Sequence, residues 1–318
     1  MADRQLVSHL RTALHNLEGE AIAIGAAVGD QMELVCRGSF NSAPVHERTV
    51  FYGASVTKQI IGAAAARAVL RGVVNIDDPL AQWLPSLPPS MEAIRLDHLV
   101  HHTSGLPDLA EPTLGVPGSN AELLERFHQL DALKFAPGTR FAYNNAGYVV
   151  LAEALAQSLG QPVDEIAGEL VMPLGLSPPR SGGPFVQLRG RPDPPGTVGD
   201  GGLWTSIHDL TLWLQACNEG ALGAETHQLA EQGTTLADGS PVDYAWGVRV
   251  APSAAGRVIT HGGSWDMWLA KTVRIPERHV AVAILSVGST ELEISRTGTA
   301  LAAAIASRLA PARREVFG

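Results

Sequence analysis

Ser55 and Lys58 are the residues whose types and spacing most directly suggest chemistry. A serine hydroxyl is a poor nucleophile at neutral pH and needs a base within hydrogen-bond reach. In Ser55-Val56-Thr57-Lys58 the two groups stand three residues apart, so on a helix they share one face at neighbouring heights. The run from Ser55 to Leu70 reads as an Ala-rich helix closed by Gly72. Ser55 sits at its N-terminus, where unpaired backbone N–H groups favour a developing negative charge. Gly53 and Ala54 leave room for a close approach, and the apolar helix beyond Lys58 implies that the lysine is buried. Burial disfavours the ammonium form, which lets a lysine act as a base. Alone, S-x-x-K is a weak signal whose ordinary meaning is an exposed pair on a helix face.

The elements that must position this pair can be read from periodicity. Leu6, Leu10, Ala13, Leu14 and Leu17 recur at helical spacing, and Gly19 can end that first helix. Residues 21–29 and 31–38 read as a hairpin with a Gly-Asp turn. From about Asn75 to about Ser240, helical segments alternate with Pro- and Gly-rich loops such as SPPRSGGP and RPDPPGTVGDGG. Strands return at 245–250, 257–263, 268–276 and 279–287, and these must pair with the hairpin. A last helix opens with the capping box Thr290-x-x-Glu293 and runs to about Leu309, with only the last few residues left as a tail. The expectation is an α/β (α+β) protein, with residues 1–74 and 241–318 forming a sheet domain and 75–240 a mainly helical one.

Composition narrows the partners. The formal charge is -9, and none of the 23 basic residues forms a dense run, which argues against nucleic acid. No apolar run approaches the roughly 20 residues that span a bilayer, and the N-terminal segment is amphipathic where a signal peptide would be unbroken. A cytoplasmic protein with no membrane partner is expected. Cys36 and Cys217 stand far apart in apolar surroundings and read as small core residues. Nothing in the composition speaks to oligomeric state.

Three motifs together, Ser55-Val56-Thr57-Lys58, Tyr143-Asn144-Asn145 and His261-Gly262-Gly263, resemble those of the serine β-lactamase and penicillin-binding protein superfamily. The similarity is to its class C-like branch, which includes esterases and D-stereospecific aminopeptidases and amidases. It extends over roughly residues 20 to 310, through LVHHTSGLPD (99–108), PGTRFAYNNAGYVVLAEAL (137–155) and GDGGLWTSIHDLTLW (199–213). The resemblance implies an antiparallel sheet flanked by the N- and C-terminal helices, an all-α domain inserted beside it, and an active site between the two, with no cofactor. It implies that Ser55 is acylated, that Lys58 and Tyr143 handle protons, and that Asn145 holds Lys58 and substrate. It places the oxyanion hole at the backbone N–H groups of Ser55 and Ser264. The expected substrates are small esters, amides or peptides, D-configured residues among them. Interception of the acyl-enzyme by an amine or alcohol, as in an acyltransferase or peptide cyclase, is an alternative on the same chemistry; a β-lactamase and a catalytically silent binding protein are weaker ones.

His261 stands where penicillin-active relatives carry the lysine of K-T-G, a residue that helps to bind the substrate carboxylate. A histidine there is a weaker anchor whose charge is expected to vary near neutral pH, so esters or aminoacyl amides are expected to outpace β-lactams. Trp265 and Asp266, next in sequence, are candidates for the pocket wall and for meeting a substrate ammonium, and Trp204 is a candidate for pocket or packing. His98, His101 and His102 with Asp97 and Asp108 have the donor types of a zinc site, but adjacent histidines cannot both face one ion without a bend, and no metal is expected. Ser206 and Asp209 read as a helix cap.

Overall fold

The computed structural model describes residues 4–180, 188 and 191–309. The last residues, 310–318, and half of the 177–184 loop lie outside them. The strands are β1 (Ala21–Val28), β2 (Gln31–Phe40), β3 (Ala43–Pro44), β4 (Phe51–Tyr52), β5 (Trp204–Thr205), β6 (Thr234–Thr235), β7 (Pro241–Val242), β8 (Arg249–Ser253), β9 (Gly256–Trp265), β10 (Trp268–Ile275) and β11 (Val280–Val287). The helices are α1 (Arg4–Asn16), α2 (Lys58–Leu70), α3 (Leu96–Val100), α4 (Asn120–Phe127), α5 (Asn145–Leu159), α6 (Val163–Val171), α7 (Ile207–Asn218), α8 (Ala224–Ala230) and α9 (Glu291–Ala306).

Seven strands form one antiparallel sheet in the order β3-β2-β1-β11-β10-β9-β8. Its two faces differ in side-chain size because alternate strand residues point opposite ways. Ile22 and Ile24 of β1 with Val282 and Ile284 of β11 bury against Leu6 and Leu10 of α1 and Leu301 and Ile305 of α9. Each such side chain contributes roughly 1.5–3 kcal/mol when fully buried. The opposite face presents Ala21, Ala23, Ala281 and Ala283, small enough for α7 to lie directly on β1 and β11. Helices α1 and α9 therefore flank one face, as expected. The capping box is formed: Thr290 Oγ1 accepts from Glu293 N–H, while Glu293 accepts from Thr290 N–H.

Helix α2 is buried over most of its length and packs against α5, α6 and α8. Such a helix, apolar all round, belongs in an interior. Two boundaries differ from the expectation. The chain from Ala54 to Thr57 is a tight 3-10 turn, and the α-helix begins only at Lys58. The strand expected at 245–250 begins at Arg249, because Gly247 adopts a φ of +82° where the chain presses on α2. A Cβ at Gly247 would lie 2.0 Å from the Lys58 carbonyl oxygen, which only glycine avoids.

Candidate active site

The turn carrying Ser55 is held from several sides. Gly53 N–H donates to Leu203 O at 2.8 Å, Thr57 Oγ1 donates to Ala54 O at 2.6 Å, and Leu203 N–H donates to Thr57 Oγ1 at 3.1 Å. The short pair β4–β5 ties the strand before the turn to the segment containing Leu203. Ala54 is held at a φ of +45°, a region that costs a non-glycine residue of order 1–3 kcal/mol and persists only where the surroundings fix it. Strand β9 passes directly beside the turn. A Cβ on Gly263 would fall 2.2 Å from the Gly53 carbonyl oxygen and 3.3 Å from Ser55 N, so a side chain there would push the strand away. Trp265 and Trp268 flank a two-residue turn, so alternation along the β9–β10 ladder directs the Ser264 peptide group outward, to the free edge on which Ser55 lies.

Lys58 is completely buried, and its Nζ has three oxygens around it: Ser55 Oγ at 3.0 Å, Asn145 Oδ1 at 2.9 Å and the Asp200 carbonyl at 2.9 Å. Asn145 opens α5, and its amide is oriented by Asp108. The Asp108 carboxylate accepts from Asn145 Nδ2 at 3.2 Å, from Asn145 N–H at 3.1 Å and from Ala146 N–H at 2.9 Å. With Nδ2 committed to a carboxylate, Oδ1 must be the atom that meets Lys58. Asn144 caps the same helix, its Oδ1 accepting from Gly147 N–H at 2.6 Å.

Tyr143, 39% exposed, leans over Lys58 with its ring centroid 5.1 Å from Nζ and rests on the His102 ring at 4.4 Å. His102 is buried: its Nδ1 accepts from Asn144 N–H at 3.1 Å, and burial with the nearby Lys58 charge holds its pKa well below the usual value. Ser55, Tyr143, Asn145, His261, Gly262, Gly263 and Ser264 line one cleft of about 500 Å³. The nucleophile candidate, both proton-handling candidates and the third motif therefore converge on a single place.

The chain matches the Beta-lactamase family across residues 5–307. It belongs to that family. Its similarity to esterase EstB of Burkholderia gladioli is 32% identity over 49% of this chain and 45% of that one. The D-aminopeptidase of Brucella canis is 23% identical over 66% of this chain and 44% of its own length, so the chain spans about half of these curated relatives. In fold it is similar to the penicillin-binding protein homologue of Pyrococcus abyssi, with a TM-score of 0.79 at 22% identity over 96% of this chain and 78% of that one. No helix among the described residues is long and apolar enough to cross a membrane.

Within this Beta-lactamase family member, several residues take other places than expected. His261 is buried beside Tyr244, not opened to solvent. Its Nδ1 lies 2.6 Å from Gly262 O, which can only accept, so Nδ1 carries the proton and Nε2 accepts from Tyr244 O–H at 2.9 Å. Desolvation, reinforced by the Lys58 charge, pushes its pKa down to about 3, so its charge does not vary near neutral pH. Trp265 is absent from the cleft wall and packs on the core; Asp266 is bound by Arg191, whose Nε donates to it at 2.7 Å. That ion pair keeps the Asp266 carboxyl below its usual pKa. Trp204 and Trp268 meet edge to face in the core, and Trp204 also lines a separate apolar cavity. His98, His101 and Asp108 serve separate local hydrogen bonds, and Ser206 caps α7 by accepting from Asp209 N–H. Cys217 is buried and Cys36 half-buried, both as free thiols.

Asp108, Asp200 and Tyr244 are the site residues that sequence reasoning missed. In the sequence Asp108 stands out only by its metal-donor type, and no spacing rule links it to Asn145. Asp200 lies in the GDGG segment and acts through its backbone carbonyl, which no side-chain pattern could reveal.

Proposed function

We propose that this protein is a serine hydrolase that forms an acyl-enzyme at Ser55 and cleaves small esters, amides or peptides. The 3.0 Å contact between Ser55 Oγ and the buried Lys58 Nζ carries the reading. Asn145 Oδ1 and Asp200 O can only accept, so two Nζ hydrogens point at them and the third position points at Ser55 Oγ. For Lys58 to take the serine proton, that third position must hold the nitrogen lone pair. Attack on a carbonyl then transfers the proton to Lys58, and the developing oxyanion meets the N–H groups of Ser55 and Ser264. Each such donor typically contributes a few kcal/mol to lowering the barrier. Tyr143, stacked over Lys58 at the mouth of the cleft, is placed to pass a proton to the leaving group and to activate the water that releases the acyl group. Its relatives' names, an esterase and a D-aminopeptidase, support the substrate class.

The test is steady-state turnover of a panel of p-nitrophenyl esters and D- and L-aminoacyl p-nitroanilides by wild type and Ser55→Ala. Turnover in at least one class should vanish in the variant while its melting curve stays cooperative. Equal rates in the two proteins would refute the reading.

A further inference from the structure

Strand β9 pairs with β10 along Ile259–Trp265 but with β8 only as far as Thr260, so its outer edge is free from His261 onward. The cleft wraps around this free edge and has two sides. His261 and Gly263 face the Ser55 turn; Thr260, Gly262 and Ser264 alternate to the opposite face, toward α9. Lys271 stands in register with Gly262 and shares that second face, its Cγ lying 3.1 Å from where a Cβ on Gly298 of α9 would be. The catalytic reading leaves this lysine unused.

Lys271 is only 9% exposed, yet it lines the cleft and has no hydrogen bond or ion pair among the described residues. Its stem is covered while its ammonium opens on the cleft, where no carboxylate of the described residues meets it, and a largely desolvated cation is ordinarily paired. Desolvation and the Arg249 charge lower its pKa, as expected for an ammonium lacking an anion. Arg249 itself is held by Asp243 at 2.5 Å and lies over the Phe141 ring. Glu291, exposed in the first turn of α9, also lines the cleft but forms no ion pair with Lys271. Access is open on the near side: a Cβ on Gly262 would meet only Ala270 O, at 3.8 Å. Three hydroxyls, on Thr260, Ser264 and Ser295, share this wall.

We propose that Lys271, with the hydroxyls of Thr260, Ser264 and Ser295, forms an anion subsite on the α9 side of the free β9 edge, where it binds a carboxylate carried by the substrate. The proposal deepens the function above and rests on the Ser55 reading. A substrate lying along the edge with its carbonyl at Ser264 N–H has its carboxylate about 7 Å further along, over Gly262, at roughly 3.3 Å per residue. The charge that His261 lacks is thus supplied from the other face of the same strand. The protein selects acidic esters or amides over neutral ones.

Two measurements test this, one of them independent of turnover. First, kcat/KM is compared for phenyl acetate, 3-acetoxybenzoate and monophenyl glutarate. At least one acidic ester should exceed the neutral one by tenfold or more in the wild type, and Lys271→Met should reduce that ratio at least tenfold. An unchanged ratio, or no preference in the wild type, overturns the subsite. Second, glutarate binding is measured by calorimetry in Ser55→Ala, with and without Lys271→Met, and in Glu291→Gln. Binding should weaken at least tenfold on loss of Lys271 and hold or strengthen in Glu291→Gln. Equal binding with and without Lys271, or none, overturns the proposal even where turnover is absent. Failure of the Ser55 reading shows separately, as turnover that survives Ser55→Ala. Lys271→Gln, checked by thermal melt, serves if the Met variant does not fold.

Discussion

Lys58 is positioned by the groups around it. Two acceptor-only oxygens fix its geometry, and one of these, Asn145 Oδ1, is fixed in turn by Asp108. Hydrogen bonds to a charged group contribute about 1.5–3 kcal/mol, which corresponds to roughly ten- to hundredfold in rate. Asp108→Asn should therefore lower kcat/KM by about that factor although Asp108 does not touch substrate, and steady-state kinetics at wild-type level would show that Asn145 needs no such support. Lys58→Ala and Tyr143→Phe should each cost roughly a hundredfold or more, as expected when general acid–base help is removed. At this scale the sequence was most informative for residues in fixed motifs: Ser55, Tyr143, Asn145 and His261 line one cleft, and the buried Lys58 touches Ser55 and Asn145. Adjacency in sequence was a poor guide. Trp265 and Asp266 follow the third motif directly, yet one packs into the core and the other pairs with Arg191. Lys271 was invisible, because it joins the cleft by cross-strand register with Gly262.

The elements serve to bring two backbones together. The proposed oxyanion hole requires strand β9 to approach the Ser55 turn closely, and Gly263 is the residue that permits the approach. Gly263→Ala places a methyl 2.2 Å from a backbone oxygen, so the strand must retreat. A misplacement near 1 Å can cost about a hundredfold in rate. The expected outcome is a drop of that order in kcat/KM for a neutral ester, and full activity would mean that β9 does not supply an oxyanion donor. Strands β1, β2, β10 and β11 were legible because apolar, β-branched runs between Gly and Pro residues specify them locally. The two-residue pair β4–β5 was not, since its partners lie far apart in sequence and neither forms a run. The positive φ at Ala54 was equally hidden, being imposed by Leu203 and Thr57 contacts and not by alanine's own preference.

Across the whole molecule, burial of neutral imidazoles links stability to pH. His98, His101, His102, His227 and His261 are all held below their ordinary pKa, first of all by desolvation. Between an unfolded value near 6.5 and the folded value, about 3 for His261, the unfolded chain binds more protons than the folded one. Stability from these groups is therefore complete above about pH 6.5 and is lost as pH falls toward the folded values. Asp200, whose carboxyl burial pushes up, opposes this trend as a single group against five. The melting temperature should fall steadily from pH 7 to pH 4.5; a flat or rising profile would show that the imidazoles are solvated.

The proposed mechanism requires that Ser55, and no other residue, is acylated. Intact-mass spectrometry with peptide mapping, after rapid acid quench of the enzyme with a p-nitrophenyl ester or after fluorophosphonate labelling, tests it directly. One adduct per chain is expected on the peptide containing Ser55, absent in Ser55→Ala and strongly slowed in Lys58→Ala. An adduct that persists in Ser55→Ala, or maps to another residue, would contradict it.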